Sequence, residues 1–150
     1  MLERLERATR NVPRTIDRDT HAALDYLTVG AFMTMAGLFG GRNKRATTVA
    51  LINGLMVLGV SLFTDYRGSL RRKISFRTHG ELDIVQAMTA AGLPLLLGMG
   101  ASALPFFLQA ANEVLVISST DWGPQEPHAQ IEDLGSRIKD RLADAQRGIA

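Results

Sequence analysis

Two histidines and four aspartates recur at matched positions in this sequence, and these residue types are well suited to hold a cation. They are His21, Asp25, Asp65, His79, Asp83 and Asp121. His21 and Asp25 are four residues apart, as are His79 and Asp83, so on a helix each pair lies on one face and could ligate one ion. Nitrogen and oxygen ligands without sulfur suit zinc, iron or manganese, and the chain contains no cysteine. The pattern makes a divalent metal site one interpretation of these residues.

The same residues also allow interpretations without a metal. Thr20 and Thr78 are typical helix N-caps, and an aspartate one turn further on is stabilised by the positive end of the helix dipole and by a nearby histidine or arginine. A structural network of hydrogen bonds and salt bridges, a metal or small-ligand site, and a proton or ion pathway are therefore three open alternatives.

Asp65 and Asp121 each precede an aromatic residue, Tyr66 in the first case and Trp122 in the second. An acid beside an aromatic ring suits an anchor at the membrane interface. In that interpretation, Arg14 or Arg72 would pair with the carboxylate.

Glu113 is the acid expected to lie deepest in the membrane. It precedes Asp121 by eight residues, which is about 12 Å along a helix. An unpaired carboxylate at that depth costs several kcal/mol or stays protonated. The polar residues available to pair with it are Asn53, Gln86 and Asn112. We expect either a buried interhelical hydrogen bond or a proton-relay or substrate-binding acid at this position.

Two uncharged segments indicate the elements that must position these side chains. Residues 46–64 and 84–112 carry no charge, and the second run is longer than one span of about 20 residues. Glycines and a proline at 98–105 divide that run in two. The predicted fold is therefore all-α, a four-helix transmembrane bundle. The predicted spans are 21–40, 45–66, 79–99 and 104–121.

Basic residues predict the orientation of this bundle. Ten lysines and arginines lie in 1–20 and 65–78, against three in the loop at 42–45. Because basic residues in short loops are retained on the cytoplasmic side, we expect both termini to be cytoplasmic. The net charge of +2 gives no case for a nucleic-acid partner.

Both tails are predicted to form amphipathic cytoplasmic helices. Residues 1–13 carry apolar side chains at helical spacing, which predicts a short helix at the membrane interface. Residues 123–150 begin with a Pro-rich linker and then place four aliphatic side chains on one stripe: Ile131, Leu134, Ile138 and Leu142. We expect this second helix, over 128–149, to lie on the bilayer or on a protein partner, which includes another copy of the chain.

The chain contains an internal repeat. Residues 14–41 align without a gap on 72–99 at an offset of 58, and eight of the 28 pairs are identical. Both segments read R-x-I-x-x-x-T-H-x-x-L-D, while 64–66 and 120–122 match as Thr-Asp-Tyr and Thr-Asp-Trp at an offset of 56. The repeating unit is a two-helix hairpin. The predicted organisation is a membrane domain at 14–122 with a first repeat at 14–66 and a second repeat at 72–122.

These repeated residues resemble the SPW-repeat family of small bacterial membrane proteins, whose halves open with a basic residue, an Ile, a His and a Leu-Asp pair. The resemblance covers about 14–122. It implies a duplicated hairpin of transmembrane helices in the bacterial inner membrane, with no established biochemical activity. The tripeptide that names the family is replaced here by Met-Ala-Gly at 35–37 and by Leu-Pro-Leu at 93–95.

Two functions of different classes follow from these observations. The sequence lacks G-x-S-x-G, H-E-x-x-H and a glycine-rich phosphate loop, and each of these would indicate an enzyme. Its small size and amphipathic tail favour a non-enzymatic accessory or scaffold protein. The alternative is a metal-binding or ion- or proton-coupled membrane protein that uses the histidines and aspartates at its cytoplasmic face.

Overall fold

The structure is a computed structural model that describes residues 1–123. Over that range the chain forms five α-helices and one short 3₁₀ helix, and it contains no β-strand. The elements are α1 (Leu2–Ala8), α2 (Arg18–Phe39), α3 (Lys44–Phe63), α4 (Phe76–Leu96), a 3₁₀ turn (Gly100–Ala103) and α5 (Leu104–Ser119). The predicted all-α class is confirmed, while the predicted helix over 128–149 lies outside the described residues.

Three of the helical segments are long and apolar enough to cross a membrane: α2, α3, and the segment Gly100–Ser119 that joins the 3₁₀ turn to α5. The sequence predicts a fourth span, which corresponds to α4. That helix has 21 residues, enough to cross about 30 Å of hydrocarbon, but its first turns carry Arg77, His79, Glu81 and Asp83. These polar residues lower its hydropathy below that of the other three.

Side-chain caps begin α2 and α4 three residues earlier than the sequence predicts. The Asp17 carboxylate accepts a hydrogen bond from the Thr20 N–H at 2.7 Å, and Ser75 Oγ accepts from the Thr78 N–H at 3.1 Å. Thr20 and Thr78 are therefore not the N-caps, and the prediction was wrong because an earlier Asp or Ser can also cap. The Thr20 hydrogen bond holds the pKa of Asp17 below its usual value.

The helices pack in chain order, with α2 against α3, α3 against α4, and α4 against α5. One apolar cluster, centred on Phe32 and Phe106, fills the end near the 3₁₀ turn. A second, which includes Leu2, Phe76 and Trp122, fills the opposite end. Helix α1 is shorter than the predicted 1–13 segment, and its Leu2 side chain is buried in this second cluster.

Two extended segments hold pairs of helix ends side by side. Ile16 exchanges backbone hydrogen bonds of 3.0 and 2.9 Å with 119–121, and Ile74 exchanges bonds of 2.9 and 2.8 Å with 63–65. The start of α2 therefore lies beside the end of α5, and the start of α4 lies beside the end of α3. The residues that follow α3 therefore lie next to the first turn of α4. Those that follow α5 lie next to the first turn of α2.

Candidate metal centre

Four side chains from the first turns of α2 and α4 form a compact buried group, which we call the His/Asp cluster: His21, Asp25, His79 and Asp83. Each offers one ligand atom, and these atoms all lie within 4.8 Å of one another. The residues are only 1–6 % exposed. The i, i+4 spacing on each helix brings the histidine and aspartate together, and the contact between helices is made across a separation of 58 residues.

The distances within the His/Asp cluster are short and uniform. The two Nε2 atoms are 3.2 Å apart, and each lies 3.1 Å from Asp83 Oδ2. Asp25 presents Oδ2 to His79 at 3.1 Å and Oδ1 to His21 at 3.5 Å. Both imidazoles therefore direct the same nitrogen, Nε2, toward a common centre that the two carboxylates also face.

Two threonines hold the opposite nitrogen of each imidazole. His21 Nδ1 lies 2.9 Å from Thr120 Oγ1, and His79 Nδ1 lies 2.8 Å from Thr64 Oγ1. Each hydroxyl also donates its one hydrogen to the backbone carbonyl four residues earlier, at 2.7 Å. Each threonine oxygen must therefore accept a hydrogen bond from Nδ1–H, which leaves Nε2 as the nitrogen with a lone pair when the ring is neutral.

Asp25 has additional partners outside the cluster. Its Oδ2 accepts hydrogen bonds from the Tyr66 hydroxyl at 2.7 Å and from the Ser61 hydroxyl at 3.3 Å. Burial raises the pKa of Tyr66, and the negative charge of Asp25 raises it further. The phenol therefore stays protonated and donates, which orients the carboxylate.

Aromatic rings cover the histidines. The Trp122 and Phe76 rings lie 5.0 and 5.4 Å from the His21 ring, and the Tyr66 ring lies 5.3 Å from the His79 ring, in edge-on arrangements. Gly80 lets Trp122 approach α4 closely, since a Cβ atom there would lie 2.7 Å from the indole. These contacts exclude water from that side of the cluster and lower its local dielectric constant.

Asp65 and Asp121 lie outside the His/Asp cluster. The Asp65 carboxylate pairs with Arg72 at 3.4 Å and with Arg18 at 4.0 Å. Asp121 is exposed and accepts a hydrogen bond from the Gly123 N–H at 3.0 Å. The chain is extended where α3 and α5 end, so successive side chains point to opposite sides. The threonine and the aromatic residue of each motif point inward, and the aspartate between them points outward.

Of the two arginines expected to pair with these acids, Arg72 does so and Arg14 does not. Arg14 instead donates to the Ser118 carbonyl and, at 3.1 Å, to the Thr9 hydroxyl. It therefore ties the segment that follows α1 to the end of α5, which helps to close the end of the molecule that holds the cluster.

Glu113 is buried and only 7 % exposed, but it does not form the expected pair with Asn53 or Gln86. Those two residues bond to each other, with Gln86 Nε2 donating to Asn53 Oδ1 at 2.8 Å. Glu113 instead lines a small cavity with Asn112 and with cluster residues that include Asp25. Among residues 1–123, no arginine, lysine or histidine forms a salt bridge with it.

Sequence reasoning missed the residues that support the cluster: Thr64, Thr120, Tyr66 and Ser61. The signal for three of them was present, because the repeated Thr-Asp-Tyr and Thr-Asp-Trp motifs mark both segments. The aspartate of each motif was predicted to belong to the site. The threonine before it is the residue that contacts a histidine. Ser61 has no polar counterpart, since the residue 56 positions later is Ile117.

No protein-family model, curated protein or solved structure matches this chain. The resemblance to the SPW-repeat family therefore stays a prediction. A function for the site has to be argued from its own geometry.

Proposed function

We propose that this chain is an integral membrane protein that binds one divalent metal ion in its His/Asp cluster, between two repeated transmembrane hairpins at 14–66 and 72–122. Helix α4 would be the fourth span. Its polar residues His79 and Asp83 are buried, and it packs against both α3 and α5. A helix with this shielding can cross a membrane despite its polarity, because intramembrane charges usually face the protein interior.

The observation that carries the proposal is the convergence of two imidazole nitrogens and two carboxylates at distances suited to one ion. Metal–ligand bonds of about 2.0–2.2 Å place the ligand atoms of a tetrahedron about 3.3–3.6 Å apart. The five nitrogen–nitrogen and nitrogen–oxygen distances given above are 3.1–3.5 Å. The remaining pair, Asp25 and Asp83, has ligand oxygens within 4.8 Å of each other, so one ion could be held by all four residues after small side-chain adjustments.

The threonines favour the same conclusion. Metal-bound histidine commonly donates its other ring N–H to a fixed acceptor, which sets the tautomer and the ring orientation. Thr120 and Thr64 fulfil this role for His21 and His79, as their distances of 2.9 and 2.8 Å indicate. Both rings are thereby prepared to offer Nε2 as a ligand.

Charge balance separates this proposal from a purely structural network. Without a cation, protons alone must neutralise two buried carboxylates. An Nε2–H group can donate to a carboxylate oxygen 3.1 Å away, but two protonated Nε2 atoms also face each other at 3.2 Å, and an unprotonated Nε2 directs its lone pair at a carboxylate. A divalent cation neutralises both aspartates and accepts electron pairs from both neutral imidazoles. The ligand set of two nitrogens and two oxygens suits iron, manganese or zinc.

Elemental analysis tests the proposal directly. The protein purified in mild detergent is expected to carry about one iron, manganese or zinc ion per chain. The double variant His21→Ala with His79→Ala is expected to carry none. Removing the metal from the wild type with a chelator should lower its melting temperature, and adding the metal back should restore it.

Two variants serve as controls for this experiment. His128→Ala removes the third histidine of the sequence, and Asp65→Asn removes an acid that lies outside the cluster. Both are expected to keep the wild-type metal content. Substoichiometric metal in the wild type, or equal metal in the double His variant, contradicts the proposal.

The location follows from the sequence rather than from the site. The basic residues of 1–20 and 65–78 support an orientation with both termini in the cytoplasm, while the bacterial inner membrane is only what the resemblance to the SPW-repeat family implies. The His/Asp cluster would then lie at the cytoplasmic end of the bundle. The scaffold role predicted from the helix at 128–149 depends on residues outside the described range, and it stays a prediction.

A further inference from the structure

Two small cavities flank the His/Asp cluster, each in a gap between one helix of the first repeat and one helix of the second. The first, which we call the Glu113 cavity, lies between α2 and α5 and has a volume of about 10 Å³. The second, which we call the Val57 cavity, lies between α3 and α4 and has a volume of about 50 Å³. Asp83 borders both cavities.

The two cavities are equivalent under the repeat. The residues 24, 25 and 28 that line the Glu113 cavity on α2 correspond at the offset of 58 to 82, 83 and 86, which line the Val57 cavity on α4. On the partner helices, the lining residues 112, 113 and 116 correspond at the offset of 56 to 56, 57 and 60.

Each gap is also closed by an interhelical hydrogen bond at equivalent positions. Gln109 Nε2 donates to Thr28 Oγ1 at 3.2 Å across the α2–α5 gap. Gln86 Nε2 donates to Asn53 Oδ1 at 2.8 Å across the α3–α4 gap. Each cavity is thus confined between the His/Asp cluster and one such bond.

Two of the equivalent lining positions are polar in the first cavity and apolar in the second. Glu113 and Asn112 line the first cavity, where the second has Val57 and Met56. The first cavity therefore has a buried carboxylate and an amide next to the cluster. The second presents aliphatic side chains together with Gln86, whose Nε2 donates to Asn53 while its buried Oε1 has no hydrogen-bond partner among the described residues. The duplication supplies the same space twice, and only the first copy adds a carboxylate from outside the His/Asp cluster.

We infer that the Glu113 cavity holds one exchangeable water molecule at an open coordination position of the metal ion, an inference that rests on the function proposed above. Three of the four cluster residues line this cavity, namely His21, Asp25 and Asp83. A volume of about 10 Å³ accommodates about one water. Glu113, Asn112 and the ion supply the two to four polar partners that a buried water needs.

With all four cluster residues bound, this water would be a fifth ligand, and an exchangeable water of this kind distinguishes a reactive metal centre from a closed structural one. The ligand that the Glu113 cavity accepts is about the size of water, because the cavity has a volume of only about 10 Å³. The Val57 cavity is larger and mainly apolar, and it has no counterpart of Glu113.

Electron spin echo measurements on Mn²⁺-loaded protein in deuterated water detect exchangeable deuterons on a metal-bound water. The wild type is expected to give this signal. Glu113→Leu keeps a similar volume without the polar head, and it should keep one Mn²⁺ per chain and lose the signal. Glu113→Gln should retain the signal because the amide still bonds to water. Val57→Leu fills the equivalent cavity and should also retain it.

Two results overturn the inference while leaving the proposed metal site intact. One is a wild type that binds one Mn²⁺ without exchangeable deuterons. The other is a Glu113→Leu variant that binds one Mn²⁺ and keeps the full signal. If Glu113→Leu is not recovered folded, Glu113→Val introduces the residue that the chain carries at the equivalent position, and the same two outcomes apply. A wild type that binds no Mn²⁺, iron or zinc overturns the metal site and the water together.

Discussion

Replacing Thr120 or Thr64 by valine removes the acceptor that fixes a histidine of the cluster and keeps nearly the same side-chain shape. Both threonines are fully buried. Each hydroxyl accepts from a histidine Nδ1–H, at 2.9 Å for Thr120 and 2.8 Å for Thr64. After substitution, the imidazole N–H has lost its acceptor, and the ring is no longer held with Nε2 toward the cluster.

The size of the effect follows from these contacts. A buried donor without a partner costs about 1–3 kcal/mol of folding stability. Loss of a hydrogen-bond partner behind a metal ligand weakens metal binding about 10–100-fold, which equals about 1.4–2.7 kcal/mol. Because the two distances differ by only 0.1 Å, we expect similar losses of affinity in Thr64→Val and Thr120→Val, and a larger loss in the double variant.

Competition with a chelator of known affinity measures this change on protein in detergent. Thr89→Val is the matched control, since the Thr89 hydroxyl also donates to the carbonyl four residues earlier, at 2.8 Å, but lies on the exposed surface of α4 without a histidine. Its metal affinity should equal that of the wild type. An unchanged affinity in Thr120→Val, or an equal loss in Thr89→Val, would refute the assignment of the threonines as partners of metal-binding histidines.

Three further predictions follow from the same structure. Tyr66→Phe removes the 2.7 Å hydrogen bond to Asp25 and should lower the free energy of unfolding by about 1.5–3 kcal/mol, as expected for a hydrogen bond to a charged group; an unchanged denaturation midpoint would contradict the role given to the phenol. Gly80→Ala places a methyl group 2.7 Å from the Trp122 ring and should lower the melting temperature, with a cost of about 1–3 kcal/mol, whereas Gly92→Ala, which has open space around it, should be neutral or stabilising. Alkaline phosphatase fused after residue 150 should be inactive if the tail is cytoplasmic, and an active fusion would reverse the proposed orientation.

The sequence alone was sufficient to predict local features of this protein. The apolar segments predicted helices at the positions of α2, α3, α4 and α5, because apolar composition is a local property. The i, i+4 spacing predicted that each histidine and its aspartate share a helix face, because helical geometry fixes that relation within one turn. The offset of 58 further predicted that His21 and His79 occupy equivalent places.

Tertiary structure decided which side chains of the Thr-Asp-Tyr and Thr-Asp-Trp motifs face the cluster. Thr64 and Thr120 contact the histidines, while Asp65 and Asp121 do not. Side chains alternate in an extended segment, so a shift of one residue reverses the outcome. The register depends on backbone pairing with residues more than 100 positions away in the case of Ile16, and the motif itself does not specify that pairing.

The environment of Glu113 was likewise decided by packing. From the sequence, Asn53, Gln86 and Asn112 were equally available as partners, since hydropathy gives depth in the membrane but not rotation about the helix axis. The structure pairs Asn53 with Gln86 and leaves Glu113 beside the His/Asp cluster. Sequence patterns specify which residues share a helix face, whereas the contacts between helices depend on how those faces pack. That is why the pairs His21–Asp25 and His79–Asp83 were predictable from the sequence and the complete site was not.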